Sequence, residues 1–167
     1  MDKNKLPLTV FAAAVALCLL QAHHYAAILP PRVASHFGPS GQPNAWMARD
    51  RFLSLYLGVV GLTSVLFALI AFVVVRAAPS SINLPNKEYW LAPERRAETA
   101  DYLAGAFLWF GAATDLLMFD VFRQTFRYDL GQAPALEHPL ASLGVYAAFG
   151  AAWSVAFLRK FSKPPVA

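Results

Sequence analysis

Phe52 to Val75 is a run of 24 residues without a formal charge, closed by Arg76. A bilayer core is crossed by about 20 apolar residues in a helix. In lipid each backbone amide and carbonyl needs an internal partner, so such a run is restricted to a helix. Three more apolar runs follow the same logic: Leu6–Leu29, Tyr102–Phe122 and Leu140–Leu158. Of the 167 residues, 57% are hydrophobic and only 14% charged. A soluble domain carries about 25% charged residues. So few charges suit a surface that faces lipid. The sequence therefore predicts an all-α integral membrane protein, with four transmembrane helices and a short extracytoplasmic β-hairpin-like loop between the first two. It reads as a single membrane domain over 1–167. The spans are about 6–29, 52–75, 102–122 and 140–158. The links are an outer loop 30–51, a cytoplasmic loop 76–101 and an outer loop 123–139.

The formal charge of +4 and pI near 9.4 could indicate nucleic acid. The basic residues lie outside the apolar runs, where membrane topology puts them, so no nucleic-acid partner is expected. Cys18 is the single cysteine and lies within the first apolar run. It cannot form an intrachain disulfide. The first run carries Lys3 and Lys5 before it and Pro7 in its opening turn. A cleaved signal peptide is the competing reading, but its apolar region would be about 7–15 residues. This run continues through His23, His24 and Tyr25 to Leu29, which favours an uncleaved helix.

Pro30-Pro31 ends that helix, because proline lacks the amide hydrogen and pushes its predecessor to an extended shape. Arg32 to Phe37 then alternates. Val33, Ser35 and Phe37 fall on one side, and Arg32, Ala34 and His36 on the other, which is a strand period. Gly38-Pro39-Ser40-Gly41 is turn chemistry, continued by Gln42-Pro43-Asn44. Trp46 suits an interfacial anchor. Within the later spans, Ser54, Gly58 and Gly61, and Gly144, Ala148 and Ala152, recur at helical spacing. Small residues on one face let membrane helices approach closely.

The link Arg76 to Asp101 contains Ile82-Asn83-Leu84-Pro85-Asn86-Lys87-Glu88-Tyr89-Trp90. Pro93 fits a first helical turn and Glu94 suits the dipole there. That helix is expected to run on into the third span. Arg95 and Glu98 are three apart and can pair for about 0.2–0.5 kcal/mol. An interfacial anchor with a charged rim explains most residue types here but not the length of the segment.

Four spans put both termini on one side. Lys3, Lys5, Arg76, Lys87, Arg95, Arg96, Arg159, Lys160 and Lys163 share that side, nine in all. Arg32, Arg49, Arg51, Arg123 and Arg127 fall on the other, five in all. The positive-inside rule then places the termini in the cytoplasm and the His36 hairpin outside.

The segment Leu29–Trp46, LPPRVASHFGPSGQPNAW, resembles the signature of the domain of unknown function 1648, a membrane domain of bacterial SdpI-like proteins. The matching positions are Leu29, Pro30, Arg32, His36, Phe37, Gly41, Pro43 and Trp46. The segment INLPNKEYWLAPERRAET (residues 82–99) also looks like the loop of stand-alone four-helix members. The resemblance implies a bacterial inner-membrane protein of unknown activity. The SdpI relatives, which protect against a secreted toxin and help signal its presence, are longer, so that role is not carried over. Interaction residues expected on this basis are Arg32, His36, Phe37, Gly41, Pro43 and Trp46 outside. Inside they are Asn86, Lys87, Trp90, Pro93, Arg95 and Arg96.

No hydrolase elbow, phosphate loop, paired cysteines or zinc-helix motif is present. No enzymatic activity and no cofactor are expected. Two weaker features remain. Asp115 lies about 5 Å beyond the midpoint of the third span. A charge there costs at least about 2.5–3.5 kcal/mol, so its carboxyl should face the bundle. A functional role competes with a structural hydrogen bond to Ser, Thr or Tyr of another helix. Asp115 and Asp120 are about 140° apart round the helix and share no face. The second feature is depth. His24 and Asp120 lie about 10–12 Å outward of their span centres. His23, His36, His138, Asp129 and Glu137 also map outward. Such a cluster could bind a divalent metal or sense pH, but tolerance of polar groups near the interface explains it better, and no metal site is assigned. The expected function is membrane interaction or regulation, with the bilayer and a protein partner or homo-oligomer as partners. The alternatives are an accessory subunit and a transporter-like protein using Asp115.

Overall fold

The computed structural model describes residues 4–162; Lys3 and Lys163, which enter the charge count, lie outside them. The described chain runs helix α1 (Lys5–Ile28), strands β1 (Arg32–Phe37) and β2 (Pro43–Ala48), helix α2 (Arg49–Arg76), a 3-10 turn (Pro79–Ser81), and helices α3 (Lys87–Trp90), α4 (Arg96–Asp129) and α5 (Pro139–Ser162). The four long helices have the length and apolar character needed to cross a membrane.

Helices α1, α2 and α4 pack together as a three-helix bundle. On α1 the buried residues are Pro7, Phe11, Ala14, Cys18, Gln21 and Ala22. Steps of three and four along a helix keep side chains on one face, and that face meets α4 and α2. On α4 the matching stripe includes Ala104, Leu108, Gly111, Ala112 and Asp115. Gly111 has a specific task. A Cβ there would sit 2.8 Å from Phe11 Cε2 and 2.9 Å from Phe67 Cβ. Its bare backbone lets one aromatic from α1 and one from α2 lie against α4.

The expected small-residue contacts fall elsewhere. Space is open around the would-be Cβ of Gly58, Gly61 and Gly144. Ser54, Ala148 and Ala152 are exposed as well. Small size permits close approach but does not direct a face inward, since lipid is as apolar as a neighbouring helix.

Helix α5 stands apart. Its one buried residue is Phe161, and it rests mainly on α4. The two touch mid-length where Trp153 Nε1 donates to the Ala106 carbonyl at 3.1 Å and Thr114 meets the Tyr146 hydroxyl at 2.9 Å.

The hairpin forms at the expected residues, with β1 antiparallel to β2. The strict alternation does not hold. The register steps from Ala34↔Trp46 to His36↔Ala45, then to Phe37↔Pro43. Ser35 is thereby an extra residue, a bulge that re-aims the strand. As a result Val33 and Ala34 are both buried. Helix α4 is longer than its apolar run. Thirty-four residues extend about 51 Å, against a hydrocarbon core of about 30 Å. The helix is therefore longer than a crossing of such a core requires, and its last turns lie beside the hairpin. At its other end it begins at Arg96, later than Pro93, because residues 92–95 form turns.

Candidate functional site

The hairpin is fastened to the bundle along its length. The Ala34 amide donates to Asp129 Oδ1 at 2.8 Å. Phe37 sits edge-on to Tyr128, with centroids 5.5 Å apart. Val33 joins a core with Phe52, Tyr56 and Phe126. The turn is tied to the α4–α5 link, where the Leu136 amide donates to the Gly41 carbonyl at 3.0 Å and Gln42 Nε2 to the Pro134 carbonyl at 3.1 Å. Gly41 has φ +75° and a Cβ would approach the Leu136 oxygen to 3.2 Å. Glycine meets both demands, the left-handed backbone and the close approach. Arg127 pairs with Glu137 across the base of the same link.

On this frame the expected interaction residues divide. Phe37, Gly41 and Pro43 build the cap. Arg32, His36 and Trp46 are exposed on it, Trp46 at 48%. His36 Nδ1 bonds the Asn44 side chain across the strands.

Asp129 lies at the end of α4, past the apolar run. Its Oδ1 accepts the Ala34 amide, but its Oδ2 is buried without a hydrogen-bond partner. Burial, only partly opposed by the Ala34 bond, pushes this carboxyl from 3.8 up to about 6. The folded state therefore holds the proton more tightly than the unfolded chain. The stability due to this group is complete below pH 3.8 and is lost as pH rises through about 6. After allowance for solvent screening the loss is about 1 kcal/mol. Asp129→Asn keeps an acceptor for Ala34 and removes the titration. Thermal melts in micelles from pH 4 to 8 should show the variant gaining on the native protein as pH rises. A constant difference between the two would refute the assignment.

Asp115 is 0% exposed. Thr63 Oγ1 donates to its Oδ1 at 3.3 Å and Ser64 Oγ to its Oδ2 at 3.1 Å. Cys18 Sγ lies 3.3 Å from its backbone oxygen. One step nearer the hairpin, Tyr56 donates to Gln21 Oε1 at 2.6 Å, and Gln21 Nε2 to the Phe119 carbonyl at 3.0 Å. These bonds cross α1, α2 and α4. They satisfy polar groups buried between the helices and fix the register of the three. Polar hydrogen bonds between membrane helices contribute about 0.6 kcal/mol each.

Asp120 is held differently. It accepts from Ser142, from Gln124 Nε2 at 2.8 Å and from Arg123 at 3.1 Å. Gln124 Oε1 also accepts the His138 amide at 2.9 Å. This network fastens the start of α5 to α4. The histidine cluster suggested by depth does not assemble. His24 lies edge-on to Tyr25 and is exposed. Among the described residues no group of three or more His, Cys, Asp or Glu could hold a metal ion.

The long link after α2 fastens the other end of α5, which accounts for its length. Asn86, at φ 52°, donates Nδ2 to the Phe161 carbonyl at 2.8 Å and the Ser162 carbonyl at 3.0 Å. Trp90 Nε1 donates to the same Phe161 carbonyl at 3.3 Å. The last carbonyls of a helix lack internal partners, and this link supplies them. Thr99 ties back to the Trp90 carbonyl at 2.8 Å, and Arg96 to the Ala77 carbonyl at 3.0 Å. The Arg95 guanidinium lies 4.1 Å from the Tyr89 ring centroid, in place of the expected pairing with Glu98. Lys87 and Pro93 are exposed.

Gln21, Tyr56, Thr63, Ser64 and Gly111 were not singled out in the sequence. Gln21 and the Thr63-Ser64 pair are polar within apolar runs, and that was the available signal. No protein family, curated protein or solved structure matches this chain.

Proposed function

We propose that this is a membrane interaction protein whose hairpin face docks a partner protein. In this reading the four long helices span a bacterial inner membrane, both termini are cytoplasmic, and the hairpin lies outside. The excess of basic residues at the terminal side supports that orientation. The resemblance of residues 29–46 to the SdpI-like signature supports the setting. One observation carries the docking role: the hairpin is held by bonds from Asp129, Leu136 and Gln42, yet Arg32, His36 and Trp46 remain exposed on it. A plain connector needs no such bracing. A rigid frame with an exposed aromatic and a cation lowers the ordering cost of binding.

The second reading is an accessory subunit. Outward-facing Gly58, Gly61 and Gly144 favour it, because small residues accept close packing of foreign helices. The transporter reading has less support, since Asp115 is fully buried and bonded within the bundle.

A photo-crosslinking residue at Trp46 or His36, and separately at Ala148, separates these readings in cells. Docking predicts a discrete protein adduct from Trp46 and His36. Adducts from Ala148 alone would favour the accessory subunit and sink hairpin docking. Asp115→Asn should leave the hairpin adduct in place; its loss with an intact fold would restore Asp115 to a functional role.

A further inference from the structure

Helices α1 and α5 both lean on α4 at the end opposite the hairpin, and a crevice of about 350 Å³ lies between them. Its walls are Tyr102, Trp109, Phe149 and Trp153. At its mouth stand Glu98, Asp101 and Lys160, with Asn4 beside them. The Asp101 carboxylate has no hydrogen-bond or ion-pair partner among the described residues. The Lys160 ammonium faces rings, 4.4 Å from the Tyr102 centroid and 5.5 Å from that of Trp90. So one ammonium and two carboxylates share the rim of an aromatic-walled slot; Glu98 has an interaction of its own, which leaves Asp101 as the carboxylate open to a ligand.

Depth identifies what fits. From Lys160 inward to Phe149 the slot runs about 16 Å along α5. Half of a hydrocarbon core is about 15 Å. The charged rim therefore sits at headgroup level and the slot ends near mid-membrane. Trp109 at its inner part is 39% exposed, so the slot opens sideways as well. A ligand must carry one acyl-chain length of apolar surface below a zwitterionic head. Its cation would meet Asp101 and its anion Lys160.

We propose that this crevice holds a membrane phospholipid with a primary-amine headgroup. The ammonium donates to Asp101, the phosphate accepts from Lys160, and one acyl chain lies along Trp109 and Trp153. A quaternary amine has no N–H to donate, so a choline headgroup fits the same charges without the hydrogen bond. This inference uses the membrane setting but not the docking role of the hairpin, and either can fail alone.

The test is native mass spectrometry of the full chain released from nanodiscs that contain equal ethanolamine, choline and glycerol phospholipids. Ethanolamine lipid should be retained over choline lipid by about tenfold or more, the scale of one charge-assisted hydrogen bond. Asp101→Ala should abolish that preference, since it removes both the charge and the acceptor that meet the ammonium. Ala106→Leu, which adds bulk inside the crevice, should reduce all retention. Asp101 is only partly buried, so its variant serves even where Ala106→Leu fails to fold. Equal retention of the three lipids, a preference for the anionic glycerol lipid, or an unchanged preference in Asp101→Ala each overturns the proposal. So does a dimer that Ala106→Leu converts to monomer, because a second copy would then fill the slot.

Discussion

Phe126→Ala should destabilise the folded chain by about 3–5 kcal/mol, the range for deleting a fully buried aromatic. Phe126 is 0% exposed. It stacks on Tyr25 at 4.4 Å and meets Phe52, Tyr56 and Phe122 at centroid distances of 6.0–6.2 Å. These rings come from three helices, and Val33 of the hairpin packs into the same cluster. The cavity would thus loosen the cap and the bundle together. Thermal unfolding in micelles measures the first effect. Trypsin cleavage at Arg32, exposed on the strand, measures the second and should be faster in the variant. Phe126→Leu, which keeps most of the volume, should lose less than half as much. Equal losses for both would point away from cavity formation as the cause.

Two glycines should respond in opposite directions to the same change. At Gly111 an added methyl would lie under 3.0 Å from Phe11 and Phe67, and one of those contacts is a Cβ close to its own helix backbone. Overpacking costs about 1–3 kcal/mol. The gain from replacing glycine in a helix is about 1 kcal/mol. Overpacking therefore wins, and Gly111→Ala should destabilise. Gly111→Val, with a branched Cβ, should lie at the upper end, about 3 kcal/mol. At Gly61 there is nothing within 4 Å, so Gly61→Ala should be neutral or stabilising by up to about 1 kcal/mol. Parallel melts of the three variants check this. A stabilising Gly111→Ala would mean that α1 and α2 do not close on α4 as described.

The four long helices were legible because lipid demands long apolar runs, and so was the hairpin, because alternation meets a Gly-Pro-Ser-Gly turn. The limits of those signals show in particular residues. Hydropathy marked Tyr102–Phe122, yet α4 runs from Arg96 to Asp129, since hydropathy reports the slab and not the helix. The bulge at Ser35 was invisible because it follows from how Val33 and Ala34 meet α4, not from local pattern. The outward placement of Gly58 and Gly144 was unreadable for want of any apolar contrast between lipid and helix. A hydrogen bond for Asp115 from a hydroxyl on another helix was anticipated by the cost of its burial. Which hydroxyls supply it depended on the rotation of α2. Asn86 and Trp90 were expected as interaction residues from the likeness of their loop to that of four-helix members; their bonds to α5 were not legible, because they depend on a contact some 75 residues distant in the chain.

The fastening of α5 at its two ends has a consequence for cooperativity. Its upper tie is the Asp120–Gln124–Ser142 network and its lower tie the Asn86–Phe161 bonds, while little of it is buried between them. The chain therefore has two tiers of stability. The α1–α2–α4 bundle, with its crossing hydrogen bonds, opens as one unit. Helix α5 can come away when these ties and the mid-length Trp153 and Tyr146 bonds break, without exposing that core. Hydrogen exchange would then divide the protein into a slow three-helix block and a faster fourth helix.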